Sequence, residues 1–199
     1  RRRFQLGRRR QLWWRRRLGA LVTMAHWIHK SARLWRHRWA QGQLGRTLPP
    51  ALLDQLTQAV AASESRHTGQ IRCCIEAGLP ASYIWRGADA RQRALTMFSK
   101  LRVWDTEDNN GVLIYLLLAD HAIEIVADRG LARQVAQPVW DALTSALGDA
   151  LRAGHTTDGL MQALAAVSAL LEQHFPSPSA SPQPTRPNEL PDAPFVARH

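Results

Sequence analysis

Between Asp105 and Asn110 the chain places three carboxylates and two side-chain amides in six residues, DTEDNN. Oxygen donors at this density suit calcium, which takes about six to eight oxygens in a flexible shell. Asp105, Glu107 and Asn109 have the alternate spacing of the early ligands of an EF-hand loop, but Asn110 stands where that loop needs Gly and Leu116 where it needs a bidentate Glu. An EF-hand is therefore excluded and a nonstandard site is left. The competing reading is that Asn and Asp here only build turns by bonding their own backbone, with Asn110-Gly111 leading into a strand.

A second carboxylate joins this loop if the next two segments form a hairpin. Val112 to Ala119 is a nearly continuous apolar run, as expected of a strand buried on both faces. Asp120-His121 fits a tight turn, and a further strand runs from about Ile123 to Val126 and closes on Asp128-Arg129-Gly130. Antiparallel pairing sets the start of one strand beside the end of the other. The expected metal cluster is thus Asp105, Asp108, Asn109 and Asp128, with calcium as the candidate ion.

Other reactive groups carry less. The only cysteines, Cys73 and Cys74, are adjacent, cannot form an ordinary long-range disulfide with each other, and read as strand core. There is no Cys-x5-Arg loop, no Asp-x-Asp after a strand and no Gly-rich phosphate cradle, so phosphatase chemistry would have to be metal-assisted at the same acidic cluster. Arg129 could hold a phosphate there, against the plainer reading of an exposed ion pair. His26 and His29 at i, i+3 could share a metal, although imidazoles on an amphipathic helix are commonly solvated or packed. Trp13, Trp14, Trp27, Trp35 and Trp39 among arginines could stack on bases.

The elements that would position these groups follow from periodicity. Ile28, Ala32, Trp35 and Trp39 recur at helical spacing between Met24 and Ala40, with Lys30, Arg33 and His37 opposite. The expectation is a terminal helix packing its Trp face on the domain, with attachment to an anionic membrane as the rival. Pro49-Pro50 opens a helix carrying Leu52, Leu56, Ala59, Val60 and Ser63 on one face. QIRCCIEA, residues 70–77, alternates as a strand. The segment ASYIWRGA reads as a loop. Asp89 caps a helix with Gln92 three residues on, and Ala94, Met97, Phe98 and Leu101 form its stripe. Pro138 begins a helix aligning Trp140, Leu143, Leu147 and Leu151 and ending at Gly154; a last helix from Thr157 or Asp158 aligns Leu160, Leu164, Val167 and Leu171. This order predicts a small mixed sheet covered by helices.

Glu64, Gly69-Gln70-Ile71 before the first strand, Asn109-Asn110-Gly111-Val112-Leu113 opening the second, Ile125 to Gly130 closing the third, and Gly154 with Gly159 before the final helix together resemble the TPM-domain family. The resemblance spans about Thr47 to Phe175 and implies an α/β fold, a three-layer α/β/α sandwich similar to a Rossmann arrangement without a dinucleotide site. It also implies activities scattered across the family: photosystem maintenance, acid phosphatase activity, calcium binding and assistance to a receptor. Many members carry a signal peptide and a C-terminal anchor or Gly-rich tail; this chain looks more like a soluble bacterial branch.

Charge and proline content divide the 199 residues into three. Residues 1–46 hold 14 Arg or Lys and no acid, a basic Arg- and Trp-rich leader; from Thr47 onward 12 basic residues meet 16 acidic ones, a net of −4. The formal +10 and the pI of about 11.2 therefore describe the leader. That leader reads either as partly an overlong translation with its true start at Met24 or as a basic arm for anionic lipid or nucleic acid. Residues 47–175 form the TPM-like domain, and the Pro-rich stretch 176–199 is expected to be disordered. No apolar run approaches the roughly 18 residues that read as a membrane-spanning helix. The resulting expectation is a noncatalytic cytoplasmic binding or maintenance module with a protein partner, with the inner membrane's anionic surface reached through residues 24–46 and nucleic acid disfavoured.

Overall fold

The computed structural model describes residues 31–177 and 188–197. His26, His29, Trp13, Trp14 and Trp27 lie outside the described residues. A helix covers residues 31–47 (α1), followed by α2 (Pro50–Glu64), β1 (Ile71–Glu76), α3 (Ala81–Trp85), α4 (Ala90–Lys100), β2 (Val112–Leu117), β3 (Ala122–Ala127), α5 (Arg129–Ala132), α6 (Gln137–Arg152), α7 (Thr156–His174) and β4 (Phe195–Ala197). The sheet order is β3-β2-β1-β4. β1 runs parallel to β2 and to β4, and β2 pairs antiparallel with β3, Val112 facing Ala127 and Leu117 facing Ala122.

Strand alternation sorts the core into two layers. Ile71, Cys73 and Ile75 of β1 with Val112, Ile114 and Leu116 of β2 pack under α2, α6 and α7. Cys74, Leu113, Tyr115 and Leu117 face the other way, against α3 and α4. Both central strands are buried at every position, which is why their sequences show no amphipathic period. The architecture is the three-layer α/β/α sandwich with a small mixed sheet.

Local expectations are met where capping and periodicity dictate them. Asp89 accepts a hydrogen bond from the Gln92 amide at 2.8 Å and caps α4. Pro138 lies in the first turn of α6 and Gly154 ends that helix region with φ 84°. Differences arise where short segments respond to tertiary contacts. ASYIWRGA is not a loop throughout: residues 81–85 form α3, which buries Ile84. The hairpin connection is a 3-10 turn, Leu118–Asp120, ending with His121 at φ 46°, in place of a two-residue turn.

The C-terminal stretch departs most from its expected disorder. Leu190 is 5% exposed in the layer under α4, and β4 adds an edge strand to β1. The reason is a set of long-range anchors that composition does not reveal. Arg72 on β1 donates to the carbonyls of Pro191 and Ala193, and the Leu190 amide donates to Gln70 Oε1 at 3.1 Å.

The expected packing of the leader helix is also reversed. Trp35 and Trp39 are 73% and 60% exposed, whereas His37 is buried with Leu44 and Leu48. His37 Nδ1 accepts the Leu79 amide at 2.9 Å, so Nε2 carries the proton, and Nε2 lies 3.2 Å from Asp120 Oδ1. Asp120 also receives Arg33 at 2.9 Å and Arg36. Burial would raise the Asp120 carboxyl, but its bonds to His37 and Arg33 outweigh that and hold it well below the usual range. A buried polar anchor thus selects the face that hydrophobic periodicity would assign to solvent.

Glu76 and Arg93 make a second buried polar device. Arg93 Nε and Nη2 reach Glu76 Oε2 and Oε1 at 2.8 and 2.6 Å, and Tyr115 donates to Oε2 at 2.7 Å. Burial, then the Glu76 charge, push the Tyr115 phenol far above its ordinary value, so it remains a donor. Arg93→Ala should cost roughly 3–5 kcal/mol in denaturant unfolding by stranding the Glu76 charge. The double change Glu76→Leu with Arg93→Met should cost distinctly less than Arg93→Ala alone, a comparison that isolates the unpaired charge from lost packing.

Candidate functional site

The acidic loop is shaped by two close backbone approaches. Past α4, Arg102 adopts φ 54° and the Asp105 amide bonds to the Arg102 carbonyl at 2.9 Å, turning the chain back. At Gly111 a Cβ would lie 1.9 Å from the Val103 carbonyl oxygen, so no other residue fits there. Asn109 takes φ 53°, a left-handed conformation that Asn tolerates better than most. Thr106 Oγ1 accepts the Asn110 amide at 3.2 Å and tightens the turn.

The end of β3 is fastened against this loop. The Asp128 amide bonds to Gly111 O at 2.8 Å and the Gly130 amide to Asn109 O at 2.9 Å. At Gly130 an added Cβ would stand 2.5 Å from Asn109 O and 2.7 Å from Asp108 O. Two backbone carbonyls therefore converge beside Gly130. The antiparallel hairpin does bring the Asp108–Asn109 segment to Asp128, as the strand reading expects.

Each expected ligand then has a definite place. Asp128 Oδ1 accepts the Arg129 amide at 2.7 Å and caps α5, while Oδ2 is buried and has no hydrogen-bond partner among the described residues. Asn109 Oδ1 accepts Arg129 Nε at 3.0 Å. Asp108 Oδ2 accepts the Thr68 hydroxyl at 3.2 Å, and Asn110 Nδ2 donates to the same hydroxyl at 3.2 Å. Asp105 is turned to solvent, 3.7 Å from Arg102. Among the described residues no three His, Cys, Asp or Glu side chains are grouped closely enough to hold an ion. A cation here would need amide, hydroxyl and backbone oxygens beside the carboxylates, a set that suits a hard ion.

Neighbouring groups that the sequence reading did not place at the site come from outside the loop. Glu64 Oε1 accepts the Ile71 amide at 2.9 Å where α2 hands over to β1. Burial, partly offset by that bond and reinforced by Asp192, pushes the Glu64 carboxyl up to about 7. Glu189 of the C-terminal stretch accepts the Glu107 amide at 3.1 Å, so that stretch also touches the acidic loop. Thr68 carries no sequence signal for this role beyond adjacency to a strand start.

The thiols and the clefts lie elsewhere. Cys73 is buried and pushed up to about 12 by burial, and Cys74 rises further for the same reason, so neither is ionised as a nucleophile would need. One cleft of about 280 Å³ sits beside β3, lined in part by Arg91, Glu124, Trp140 and Asp141. Another of about 400 Å³ lies between α1 and the C-terminal end of β2, lined in part by Trp39, Leu116 and His121. Residues 105–110 line neither of these clefts.

Residues 44–170 match the model of the TPM domain. The chain belongs to the TPM-domain family. Among solved structures, the BA42 protein from the psychrophilic bacterium Bizionia argentinensis is similar, with a TM-score of 0.64 and 24% identity over 75% of this chain and 95% of that one. The N-terminal domain of a protein from P. gingivalis is similar with a TM-score of 0.51 and 18% identity, covering 64% of this chain and 78% of that one. No curated protein sequence matches. These neighbours show the fold alone. They leave the role of the loop to its own chemistry. Among the described residues no helix is long and apolar enough to cross a membrane.

The Glu64 carboxyl sets a pH dependence with a definite sign. Its folded value of about 7 lies above the ordinary 4.5, so the folded protein binds the proton more tightly than the unfolded chain. Its effect favours folding most below about 4.5 and declines as pH rises to about 7. Glu64→Gln should flatten that decline in urea unfolding measured across the window. Asp120, held low, acts in the opposite sense and loses its contribution only as pH falls below about 3.8.

Proposed function

We propose that this TPM domain is a noncatalytic binding module carrying a calcium site at the junction of the 105–110 loop and the start of α5. The observation that carries the reading is the Asp128 carboxylate oxygen left buried and, among the described residues, unpartnered. An ionised oxygen in that position is costly unless a cation or donor meets it. Asp128 Oδ2, the carbonyl oxygens of Asp108 and Asn109 beside Gly130, and the side chains of Asp108 and Asn109 are the donors on hand. Asp105, exposed beside Arg102, is the least engaged of the four expected ligands and would add only outer-sphere charge. Bound there, calcium would tie the loop to α5 and fix the surface that a protein partner meets. The two buried free thiols suit a reducing, cytoplasmic setting for such a module.

Metal-assisted phosphate-ester hydrolysis at the same residues is the second reading, favoured by one observation. The Arg129 guanidinium lies at the rim of the cluster, 3.0 Å from Asn109 Oδ1, where it could take a phosphate oxygen.

Calorimetric titration with calcium distinguishes these readings when joined to a generic phosphatase assay. Wild type should release or absorb heat with one site, and Asp128→Asn should weaken binding by at least roughly tenfold, the loss that even outer-shell changes produce. Asn retains the capping oxygen, so folding should be nearly unaffected. No heat with wild type, or the same heat with Asp128→Asn, sinks the calcium site. Calcium-dependent ester hydrolysis abolished by Asp128→Asn would transfer the assignment to the second reading.

A further inference from the structure

The outer face of α1 is the reverse of what a helix packed on its own domain leaves to solvent. Trp35 and Trp39, one helical turn apart, are 73% and 60% exposed. Arg38 and Arg46 are exposed on the same side, Arg36 at its flank is paired with Asp120, and residues 31–47 contain no acid. The inner face is already satisfied by His37, Leu44 and Leu48, so no rotation of the helix would bury the indoles without breaking the bonds of His37 to Leu79 and of Arg33 to Asp120.

Charge says what covers that face. Residues 1–46 hold 14 basic side chains and no acid, while the rest of the chain nets −4. Attraction to an anionic surface is therefore concentrated at α1 and the segment leading into it. A two-fold pairing of identical α1 faces would set Arg38 and Arg46 against themselves, which disfavours a second copy as occupant. Indoles beside arginines are suited to the headgroup level of a bilayer, where the ring is half apolar and the cations meet lipid phosphates. The cleft of about 400 Å³ opens beside this face, lined by Arg36, Trp39 and Leu118 among others, and offers room below the indole for a lipid group.

We propose that the Trp35/Trp39 face of α1 docks the TPM domain on an anionic membrane surface, with its arginines on lipid phosphates. The protein then lies on a bilayer without spanning it, and the sheet edge bearing the acidic loop is left to other contacts.

Co-sedimentation of the full chain with vesicles tests this. Wild type should pellet with equimolar phosphatidylglycerol and phosphatidylcholine and stay in solution with phosphatidylcholine alone. Arg38→Glu with Arg46→Glu should lower the partition by about fivefold or more for each arginine removed, and Trp35→Ala with Trp39→Ala should lower it severalfold. Thermal unfolding checks that both variants remain folded; should the paired Trp variant melt early, Trp35→Ser alone decides, because that side chain is the more exposed. Pelleting of all variants equal to wild type would assign any attraction to the leader arginines and overturn the proposal. A dimer by light scattering that the Trp variant disperses, or retention of a single-stranded oligonucleotide that the Trp variant loses while vesicle pelleting is unchanged, would also overturn it.

Discussion

Glu76 stands at the end of the central strand with no exposed surface, and its charge can persist there only because Arg93 and Tyr115 meet it. A carboxylate taken out of water without partners costs several kcal/mol or more, so this contact constrains where α4 and β2 can lie relative to β1. The bidentate geometry fixes the rotation of α4, whose buried stripe is Ala90, Arg93, Ala94 and Met97. The Tyr115 bond is compatible only with the register in which Glu76 faces Leu117 and Cys74 faces Tyr115. Once α4 and β2 are placed, the connection between them must turn back within residues 101–111. The acidic loop is a consequence of that short return.

The same return explains the glycines around the candidate site. Gly111 exists where the chain passes within contact of Val103, and Gly130 where β3 ends against the carbonyls of Asp108 and Asn109. A side chain at either position would drive the loop away from Asp128. The C-terminal stretch reinforces this end of the sheet from the other side, with Arg72 holding the carbonyls of Pro191 and Ala193 and Glu189 meeting the Glu107 amide. An edge of β1 that would otherwise present open backbone groups is covered by β4. Loop, strand start and C-terminal stretch therefore form one assembly at the sheet's N-terminal edge, with Asp128 Oδ2 as an acceptor unmet among the described residues.

At the opposite edge, Asp120 gathers Arg33, Arg36 and His37 and turns α1 so that its tryptophans face outward. Two polar anchors thus orient two helices: Glu76 inside the sandwich and Asp120 at its rim. Hydrophobic burial supplies the layers, and these paired charges choose among the rotations that burial alone would allow.

Periodicity and capping in the chain were sufficient to determine the central strands, the cap at Asp89, the helices beginning near Pro50 and Pro138, and the antiparallel return that brings Asp128 to Asn109. Each of these rests on contacts close in sequence or on one strong local pattern: a continuous apolar run, a proline in a first turn, a side chain reaching an amide three residues on. Tertiary structure alone decided the inward side of α1, the strand at Phe195–Ala197 and the place of Arg93 in the core. Those outcomes depend on partners 17 to about 120 residues away, such as Arg93 for Glu76 and Gln70 for Leu190. A charged residue in a sequence reads as surface until its partner is known, because burial of a charge is favourable only in pairs.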